Sequence, residues 1–294
     1  MNPRTVPAAP TSDRVPSAAR PAPGFVRGAF HVAGVVAPGL VGGFIAKKMF
    51  SPRRRSPTSP PTWPPPEERR VPFRDGELAV YEWDGKGPHV LLVHGWEGRA
   101  SDWGTAVGAL RDLDFRITAF DCPAHGSSPG AQTDVHEIAA AIGEVVLHSG
   151  QPAAIVAHSI GAAATAVYVG ELAEQRAERL VLVSPGGDLA TELSMICAAL
   201  GLGYAAQRAL QGRVEARYGR PVESCSTRRA LTEVELPILL LHDEADQIVP
   251  VEESQRLAAE HEGVELVCTT GLGHRRILRD PACLARISAF LDRG

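Results

Sequence analysis

Short, fully apolar stretches constrain the fold of this chain more than any other feature. They are VLLV at residues 90–93, AAIVA at 153–157, LVLV at 180–183 and ILLL at 238–241. Runs of this length without polar alternation are typical of strands that are buried on both faces of a parallel sheet. Stretches with helical spacing separate them, at residues 101–113, 134–148 and 160–173. The alternation predicts an α/β protein with a mostly parallel sheet flanked by helices.

The same pattern continues through the rest of the body. It predicts further strands at residues 78–83, 115–120 and 265–269, and further helices at residues 252–262 and 281–292. The stretch between Pro185 and Pro237 differs, because its Ala/Leu/Arg-rich residues show no convincing strand. We therefore expect one α/β domain over residues 71–294, with a small helical cap inserted over the sheet edge at about residues 187–235.

Residues 1–70 have the composition of an extension rather than of a packed domain. They hold fourteen of the 24 prolines and eleven Lys or Arg against three acids, whereas the rest of the chain carries 19 basic and 31 acidic residues. We expect disorder over residues 1–24, one helix over about residues 28–50 and a stiff linker over residues 51–70. The acidic body lacks the basic excess expected of a nucleic-acid binder, so no nucleic-acid partner is expected.

Residues 28–46 form the ambiguous segment of this extension. Their length suits a membrane span, and Lys47 and Lys48 follow as a cytoplasmic flank would, but Gly, Pro and His31 interrupt the apolar run. One alternative is a helix that lies on a membrane surface through residues 28–55. The other is an accessory helix that packs on the body through Phe30, Val36, Leu40 and Phe44.

The decisive segment for function is AAIVAHSIG at residues 153–161, which continues directly into a helical stretch. A serine hydroxyl is a poor nucleophile unless it is held beside a base. A sharp strand-to-helix turn at Ser159 would do this, and it would direct the next N–H and the helix N-terminus at the same point. Ala157 and Gly161 are the small residues that such a close turn needs. Taken alone, the pentapeptide fits an incidental helix-capping serine better, so the other segments carry the argument.

Four further segments resemble motifs of the α/β-hydrolase superfamily. The segment HVLLVHGW at residues 89–96 resembles its oxyanion loop, and FDCPAHGSS at 120–128 resembles its D-x-P-G-H-G-x-S turn, with Ala124 in place of a glycine. The segment LLLHDEADQIVP at 239–250 resembles its acid loop, and TGLGHRR at 270–276 completes the set. The order Ser…Asp…His is the one that this superfamily uses. The chain is therefore similar to this superfamily over residues 71–294.

The resemblance implies an α/β-hydrolase fold with a catalytic triad of Ser159, Asp246 and His274. His274 would act as the base, and Asp246 would orient its ring and stabilise its cation. The backbone N–H groups of Trp96 and Ile160 would form the oxyanion hole. No metal or organic cofactor is implied. The serine nucleophile disfavours the dehalogenase and epoxide hydrolase chemistry of this fold, in which an aspartate attacks.

Several neighbours of these residues are rivals or decoys. Asp243 lies three residues before Asp246, and we favour Asp246 because it precedes the IVP turn as the family pattern has it. Loop-fixing roles are expected for the histidines inside the motifs, which are His94, His125, His158 and His242. Four charged residues could meet an anionic substrate but are more typical of a solvated surface: Glu97, Arg99, Arg275 and Arg276.

The sequence leaves the substrate open, because the pocket and the cap set specificity and the fold alone does not fix function. We expect a carboxylesterase-like serine hydrolase that cleaves an ester of a small molecule through an acyl-enzyme. The alternatives are a thioesterase, amidase or acyltransferase with the same triad, a membrane-surface lipid hydrolase, and a non-catalytic binding protein of this fold. Five widely spaced cysteines without a C-x-x-C pair suit a reducing compartment. We therefore expect a cytoplasmic location, with membrane association and oligomeric state left open.

Overall fold

The computed structural model describes residues 21–54, 64–173 and 177–292. Most of the segment expected to be disordered, residues 1–20, therefore lies outside the described residues. The same holds for residues 55–63 of the expected linker.

Eight strands of the described chain form one sheet in the order β1-β2-β4-β3-β5-β6-β7-β8. They are β1 Glu67–Phe73, β2 Gly76–Trp83, β3 His89–Val93, β4 Arg116–Phe120, β5 Ala154–His158, β6 Arg179–Val183, β7 Ile238–Asp243 and β8 Val264–Thr269. β1 and β2 run antiparallel to their neighbours, and the remaining pairs are parallel. Val93 pairs with Ala157, and Val183 pairs with Leu241. The loops after β3, β5, β6 and β7 therefore leave the sheet at one edge.

Helices cover both faces of this sheet, and further helices lie beyond its carboxyl ends. The α-helices of the described residues are α1 Gly24–Val36, α2 Pro38–Phe50, α3 Gly104–Arg111, α4 Val135–Ser149, α5 Ile160–Val167, α6 Leu189–Leu200, α7 Tyr204–Tyr218, α8 Thr227–Ala230, α9 Val251–Glu260, α10 Gly273–Arg276 and α11 Pro281–Leu291. A π-helical turn, Tyr168–Leu172, extends α5. One apolar core joins the sheet to α4, α5 and α9, and a second joins it to α3 and α11. All residues of β3, β5 and β7 are buried, as their apolar runs indicate. The predicted α/β-hydrolase architecture is confirmed.

The edge strand β1 was not predicted from the sequence, which placed residues 67–70 in the linker. Its sequence EERRVPF begins with four exposed charged residues and buries only Val71 and Phe73. Charged side chains are tolerated on an edge strand because one of its sides faces solvent, and they discourage pairing with other chains. The strand is held by antiparallel pairing to β2, in which Val71 lies opposite Leu78.

The N-terminal residues form two helices, whereas the sequence predicts one helix over about residues 28–50. The break falls at Ala37, directly before Pro38, because a proline disfavours the helical conformation of the residue before it and lacks the N–H of the helical ladder. Pro38 itself is tolerated at the first position of α2. Among the described helices, none is both long enough and apolar enough to cross a membrane.

The two N-terminal helices and the cap share a small apolar core of their own. In it α2 packs on α7, and α1 packs on α6 and α7. The buried residues of this core are Val41, Ile45, Ala46, Phe50, Leu193, Cys197, Leu202, Ala206, Leu210, Val214 and Val222. The axes of α2 and α7 approach closely at Gly42, where a Cβ atom would lie 2.6 Å from the backbone nitrogen of Leu210. We call α1, α2, α6 and α7 together the roof. The boundary at residue 70 between extension and domain stays a prediction.

Candidate active site

Ser159 occupies a strained turn between β5 and α5. Its φ of 55° lies in the left-handed region that non-glycine residues rarely adopt, so the surrounding packing must hold it there. Its own N–H donates to the carbonyl of Val183 on the next strand, at 2.9 Å. Gly161 is required where α5 passes over β3, because a Cβ atom there would lie 2.4 Å from the carbonyl oxygen of His94. The side chain of Ser159 consequently projects from the sheet edge at the start of a helix.

His274 joins Ser159 to Asp246 by two hydrogen bonds. Its Nδ1 lies 2.6 Å from Oδ2 of Asp246, and its Nε2 lies 3.0 Å from Oγ of Ser159. A carboxylate can only accept, so Nδ1 carries the proton and Nε2 is free to accept the serine proton. His274 lies 28 positions after Asp246 and 115 positions after Ser159 in the chain. This is the arrangement in which a histidine acts as general base on a serine.

Asp246 is buried, and its carboxylate is fully engaged. Oδ1 accepts the backbone N–H groups of Ile248 and Val249, and His242 lies 3.5 Å from Oδ2. Burial alone would raise the pKa of this carboxyl. The hydrogen bonds from His242, His274 and Ile248 and the charge of His274 outweigh burial and hold the pKa well below its usual range. Asp246 therefore remains ionised and can stabilise an imidazolium at His274.

The rival acid, Asp243, points away from the imidazole and into the loop that carries it. Its Oδ2 accepts from the hydroxyl of Thr269 at 2.7 Å and from the N–H of Leu272 at 2.9 Å, and its Oδ1 accepts from the N–H of Ala245. Burial opposes ionisation here too, but a hydrogen bond from the backbone of Gly273 together with these others lowers the pKa of Asp243 overall. Asp243 thus fixes the backbone just before α10, on which His274 lies.

The loop after β3 lies directly against the serine. A Cβ atom on Gly95 would be 3.0 Å from Cβ of Ser159, so the backbone comes this close to Ser159 only because residue 95 is glycine. The N–H of Gly98 bonds to the carbonyl of Gly95, and Glu97 has a φ of 55°, as in a type II turn. Trp96 is the second residue of this turn, and its N–H is not used by the turn's hydrogen bond. Ile160 is the first residue of α5, where an N–H has no partner within the helix.

Four buried histidines hold these loops in place. Nε2 of His94 accepts the N–H of Cys122, and Nε2 of His125 accepts the N–H of Glu97 beside Trp96. His158 donates from Nε2 to the carbonyl of His274 at 2.8 Å, and His242 bridges Ser254 and the carbonyl of Val249. Burial, with a smaller contribution from a neighbouring histidine, lowers the pKa of both His125 and His158 to about 3. Both rings are therefore neutral in the physiological range and act as fixed hydrogen-bonding groups.

A cavity of about 680 Å³ opens beside Ser159, between the sheet edge and the roof. Its walls are mainly apolar, with Met49, Phe50, Val167, Met195, Ile196 and Ile248 among them. Trp96 and Ile160, the residues expected to supply the oxyanion hole, line it as well. The walls from α2 and α6 were not identified from the sequence, because nothing in a helical apolar pattern distinguishes a residue facing a cavity from one facing a core.

Two glutamates, Glu192 and Glu253, face this cavity beside Asp188. Removal from bulk water, together with the charges of Glu253 and Asp188, raises the pKa of Glu192 to about 7. Burial also raises the pKa of Glu253. The sequence offered no signal for these acids. By contrast, four charged residues that the sequence allows as contacts for an anionic substrate do not line the cavity: Glu97, Arg99, Arg275 and Arg276. Within the described residues, no cluster of three His, Cys, Asp or Glu is placed to hold a metal ion.

Comparison with known proteins is consistent with this geometry. The sequence profile of the alpha/beta hydrolase family matches residues 90–286, more than half of the chain. A bifunctional esterase/perhydrolase from Acinetobacter calcoaceticus is 26% identical over 239 residues, covering 65% of this chain and 86% of that enzyme. The solved structure of an esterase from Pyrococcus furiosus superimposes with a TM-score of 0.61 at 21% identity, covering 83% of this chain and 98% of that one, which shows a shared fold.

A shorter similarity involves a pimeloyl-[acyl-carrier protein] methyl ester esterase from Methylococcus capsulatus. It is 40% identical over 82 residues, which are 28% of this chain and 31% of that enzyme. The match thus spans less than a third of that relative's length.

Proposed function

This chain belongs to the alpha/beta hydrolase family, and on that premise we propose that it is a serine hydrolase that cleaves a carboxylic ester of a small molecule. The family identified from the sequence motifs is thereby confirmed. The observation that carries the proposal is the continuous hydrogen-bonded chain from Asp246 through His274 to Ser159, which ends beside an apolar cavity. An esterase needs such an activated hydroxyl together with an apolar site for the acyl chain.

In the proposed acylation step, Nε2 of His274 takes the proton of Ser159 as Oγ attacks the ester carbonyl carbon. The carbonyl oxygen becomes an oxyanion, and the N–H groups of Trp96 and Ile160 donate to it. The imidazolium is stabilised by Asp246, whose low pKa keeps it ionised. When the tetrahedral intermediate collapses, the C–O bond to the alcohol breaks and His274 returns its proton to the leaving alkoxide. Ser159 then carries the acyl group as an ester.

Water completes the proposed cycle. His274 accepts a proton from a water molecule that attacks the acyl carbon, and the second tetrahedral intermediate collapses with return of that proton to Oγ of Ser159. The product is a carboxylic acid. It ionises near the acidic side chains of Asp188, Glu192 and Glu253, and repulsion from those that are ionised opposes its retention in the cavity.

The lining of the cavity supports an uncharged acyl group of moderate length as the substrate class. Apolar side chains from α2, α5 and α6 stabilise methylene groups by about 0.8 kcal/mol each when they are removed from water. The carboxylates at the same site disfavour an acyl chain that carries its own negative charge. We therefore propose a neutral ester, and we expect its chain length to be limited by the walls from Met49 and Phe50.

The proposal is tested with a fluorophosphonate probe and a panel of p-nitrophenyl esters graded by acyl length. We expect the wild type to be labelled and to turn over at least one ester, and Ser159→Ala to lose labelling and about 10⁴-fold or more of kcat. Labelling of Ser159→Ala to the wild-type level would contradict the choice of nucleophile. A labelled wild type that cleaves no ester in the panel would reject ester hydrolysis but not the triad. Activity is expected to be unchanged by EDTA, because no proposed step uses a metal.

A further inference from the structure

The outer face of α1 and α2 is apolar although it is exposed. Of the eleven large apolar side chains that are exposed among the described residues, six lie on these two helices. They are Phe25, Val32, Val35, Val36, Leu40 and Phe44, with exposed fractions from 53% to 81%. The opposite face of α2 carries Val41 and Ile45, which are buried in the apolar core of the roof. The accessory packing expected for Val36, Leu40 and Phe44 is therefore wrong, and Phe30 is the member of that set that packs on the roof core.

Positive charge borders this outer face, and the same part of the chain carries no negative charge. Between Asp13 and Glu67 the sequence has eight Lys or Arg and no Asp or Glu. Lys47 and Lys48 are exposed in the last turn of α2, and the ammonium of Lys48 lies 5.8 Å from the ring centre of Phe44. The apolar and cationic groups are thus neighbours on one surface.

We infer that the outer face of α1 and α2 docks onto the surface of a lipid bilayer that contains anionic lipids. A helix with this division of apolar, packed and cationic faces lies in the plane of the interface, with its apolar side chains among the upper acyl carbons and its cations at the headgroups. A symmetric contact with a second copy is disfavoured, because it would bring the uncompensated lysines of two molecules together. The inference does not depend on the proposed ester hydrolysis, since none of these exposed residues belongs to the triad or lines the cavity.

The experiment is sedimentation of the full chain with sucrose-loaded vesicles. One set of vesicles contains phosphatidylcholine only, and the other contains equal amounts of phosphatidylcholine and phosphatidylglycerol. We expect binding to the anionic vesicles, weaker binding to the neutral ones, and loss of the difference at 1 M salt, where charges are screened within about 3 Å. The double variant Lys47→Gln/Lys48→Gln is expected to weaken binding to the anionic vesicles about tenfold or more.

Variants of the apolar face separate docking from charge attraction alone. Phe25→Glu and Leu40→Glu change side chains that are 81% and 79% exposed, so the fold is expected to tolerate them. Each is expected to reduce vesicle binding about tenfold or more, because it removes apolar insertion and adds a repelled charge. The matched control is Leu147→Glu on α4, where the side chain is 76% exposed outside the roof, and it is expected to bind like the wild type.

Three outcomes would overturn the inference. Wild-type protein that stays in the supernatant with anionic vesicles would do so. So would equal losses of binding for Leu40→Glu and Leu147→Glu. The third is a dimer in light scattering that Phe25→Glu and Leu40→Glu convert to a monomer, because the outer face would then contact a second copy. Hydrolysis of a soluble ester by all these variants is expected to match the wild type, so the test succeeds or fails independently of the proposed activity.

Discussion

The loops at the carboxyl ends of the strands and the helical roof differ in which side chains they bury and which they expose. In the loops, the polar groups of Asp243, Asp246, His158 and His242 are buried, and each has defined hydrogen-bond partners. In the roof, large apolar side chains are exposed, and the carboxyl of Glu192 faces an apolar cavity with a raised pKa. In the loops, these hydrogen bonds fix the positions of the buried polar side chains. The roof leaves apolar surfaces that another molecule can cover: a substrate at the cavity, as we propose, and a bilayer outside, as we infer.

The two regions also respond to acid in opposite directions. The pKa values of His125 and His158 in the loops are lowered to about 3, so the unfolded chain binds more protons and stability is lost as the pH falls below about 6.5, by about 1.4 kcal/mol per unit for each histidine. Glu192 in the roof has a pKa raised to about 7, so the folded chain binds more protons between about 4.5 and 7. Its contribution is therefore favourable at low pH and is lost as the pH rises through about 7.

The largest effects are expected in the loops, where the two aspartates can be compared directly. Asp246→Asn is expected to lower kcat about 10⁴-fold, because the imidazole loses the carboxylate that orients it and stabilises its cation. Asp243→Asn retains an oxygen acceptor and is expected to keep most of the activity but to lower the melting temperature, since it weakens the anchor of the loop before His274. Steady-state kinetics and thermal unfolding of both variants provide the measurement. An exchange of the two results would mean that the wrong carboxylate has been assigned to His274.

A specificity change is expected from the roof side of the cavity. Phe50→Ala and the milder Phe50→Leu shorten a side chain of the cavity wall that α2 contributes. The cavity should become larger, so the preferred acyl chain should lengthen. For each additional methylene admitted, kcat/KM for the longer ester should improve about fourfold relative to the shorter one. Phe44→Ala on the exposed face of the same helix is the control, and its ester profile should equal that of the wild type. If both Phe50 variants have the same ester profile as the wild type, the roof does not select the substrate.

The opposite pH responses predict a smaller effect at Glu192. Above pH 7 the carboxyl of Glu192 is ionised in the fold, which lowers the free energy of unfolding, and Glu192→Gln removes this charge. The amide oxygen can still accept the N–H of Gly187. The variant should melt higher than the wild type at pH 8, by about 2–4 °C for each kcal/mol gained, and should show no such gain at pH 5. Calorimetry or fluorescence melts at the two pH values test this. A gain of equal size at both would show that the carboxyl is not titrating in this window.

The smallest effect is expected where the chain passes from roof to loops. The guanidinium of Arg54 donates to the carbonyls of Gly126, Ser128 and Gly130, in the turn that also holds His125. Arg54→Ala should lower stability by about 1–2 kcal/mol, or a few degrees in melting temperature. Its neighbour Arg53 has a side chain that is 90% exposed, and Arg53→Ala should melt within a degree or so of the wild type. Equal losses for both variants would argue that Arg54 does not hold this turn.

The extent to which this protein could be predicted from its sequence differs between the same two regions. Seven of the eight strands and the order of the motifs are recognisable in the sequence, because β3, β5, β6 and β7 contain uninterrupted apolar runs and the motifs lie at the ends of strands. The edge strand β1 was missed, since its outward residues are charged as an exposed edge requires. The roof was expected only as an extension with one helix and a cap, and the packing of α2 into the cap was not foreseen.

The sequence by itself determined the fold class, the family and the set of residues from which an active site would be drawn. These follow from local properties, namely apolar runs, small residues beside Ser159, and loops that start where strands end. Only the tertiary structure decided that Asp246 rather than Asp243 contacts His274, that Phe50 becomes a wall of the cavity, and that Leu40 faces outward while Val41 is buried. The physical reason is that local spacing specifies which face of an element is apolar. What that face contacts depends on packing between segments far apart in the chain.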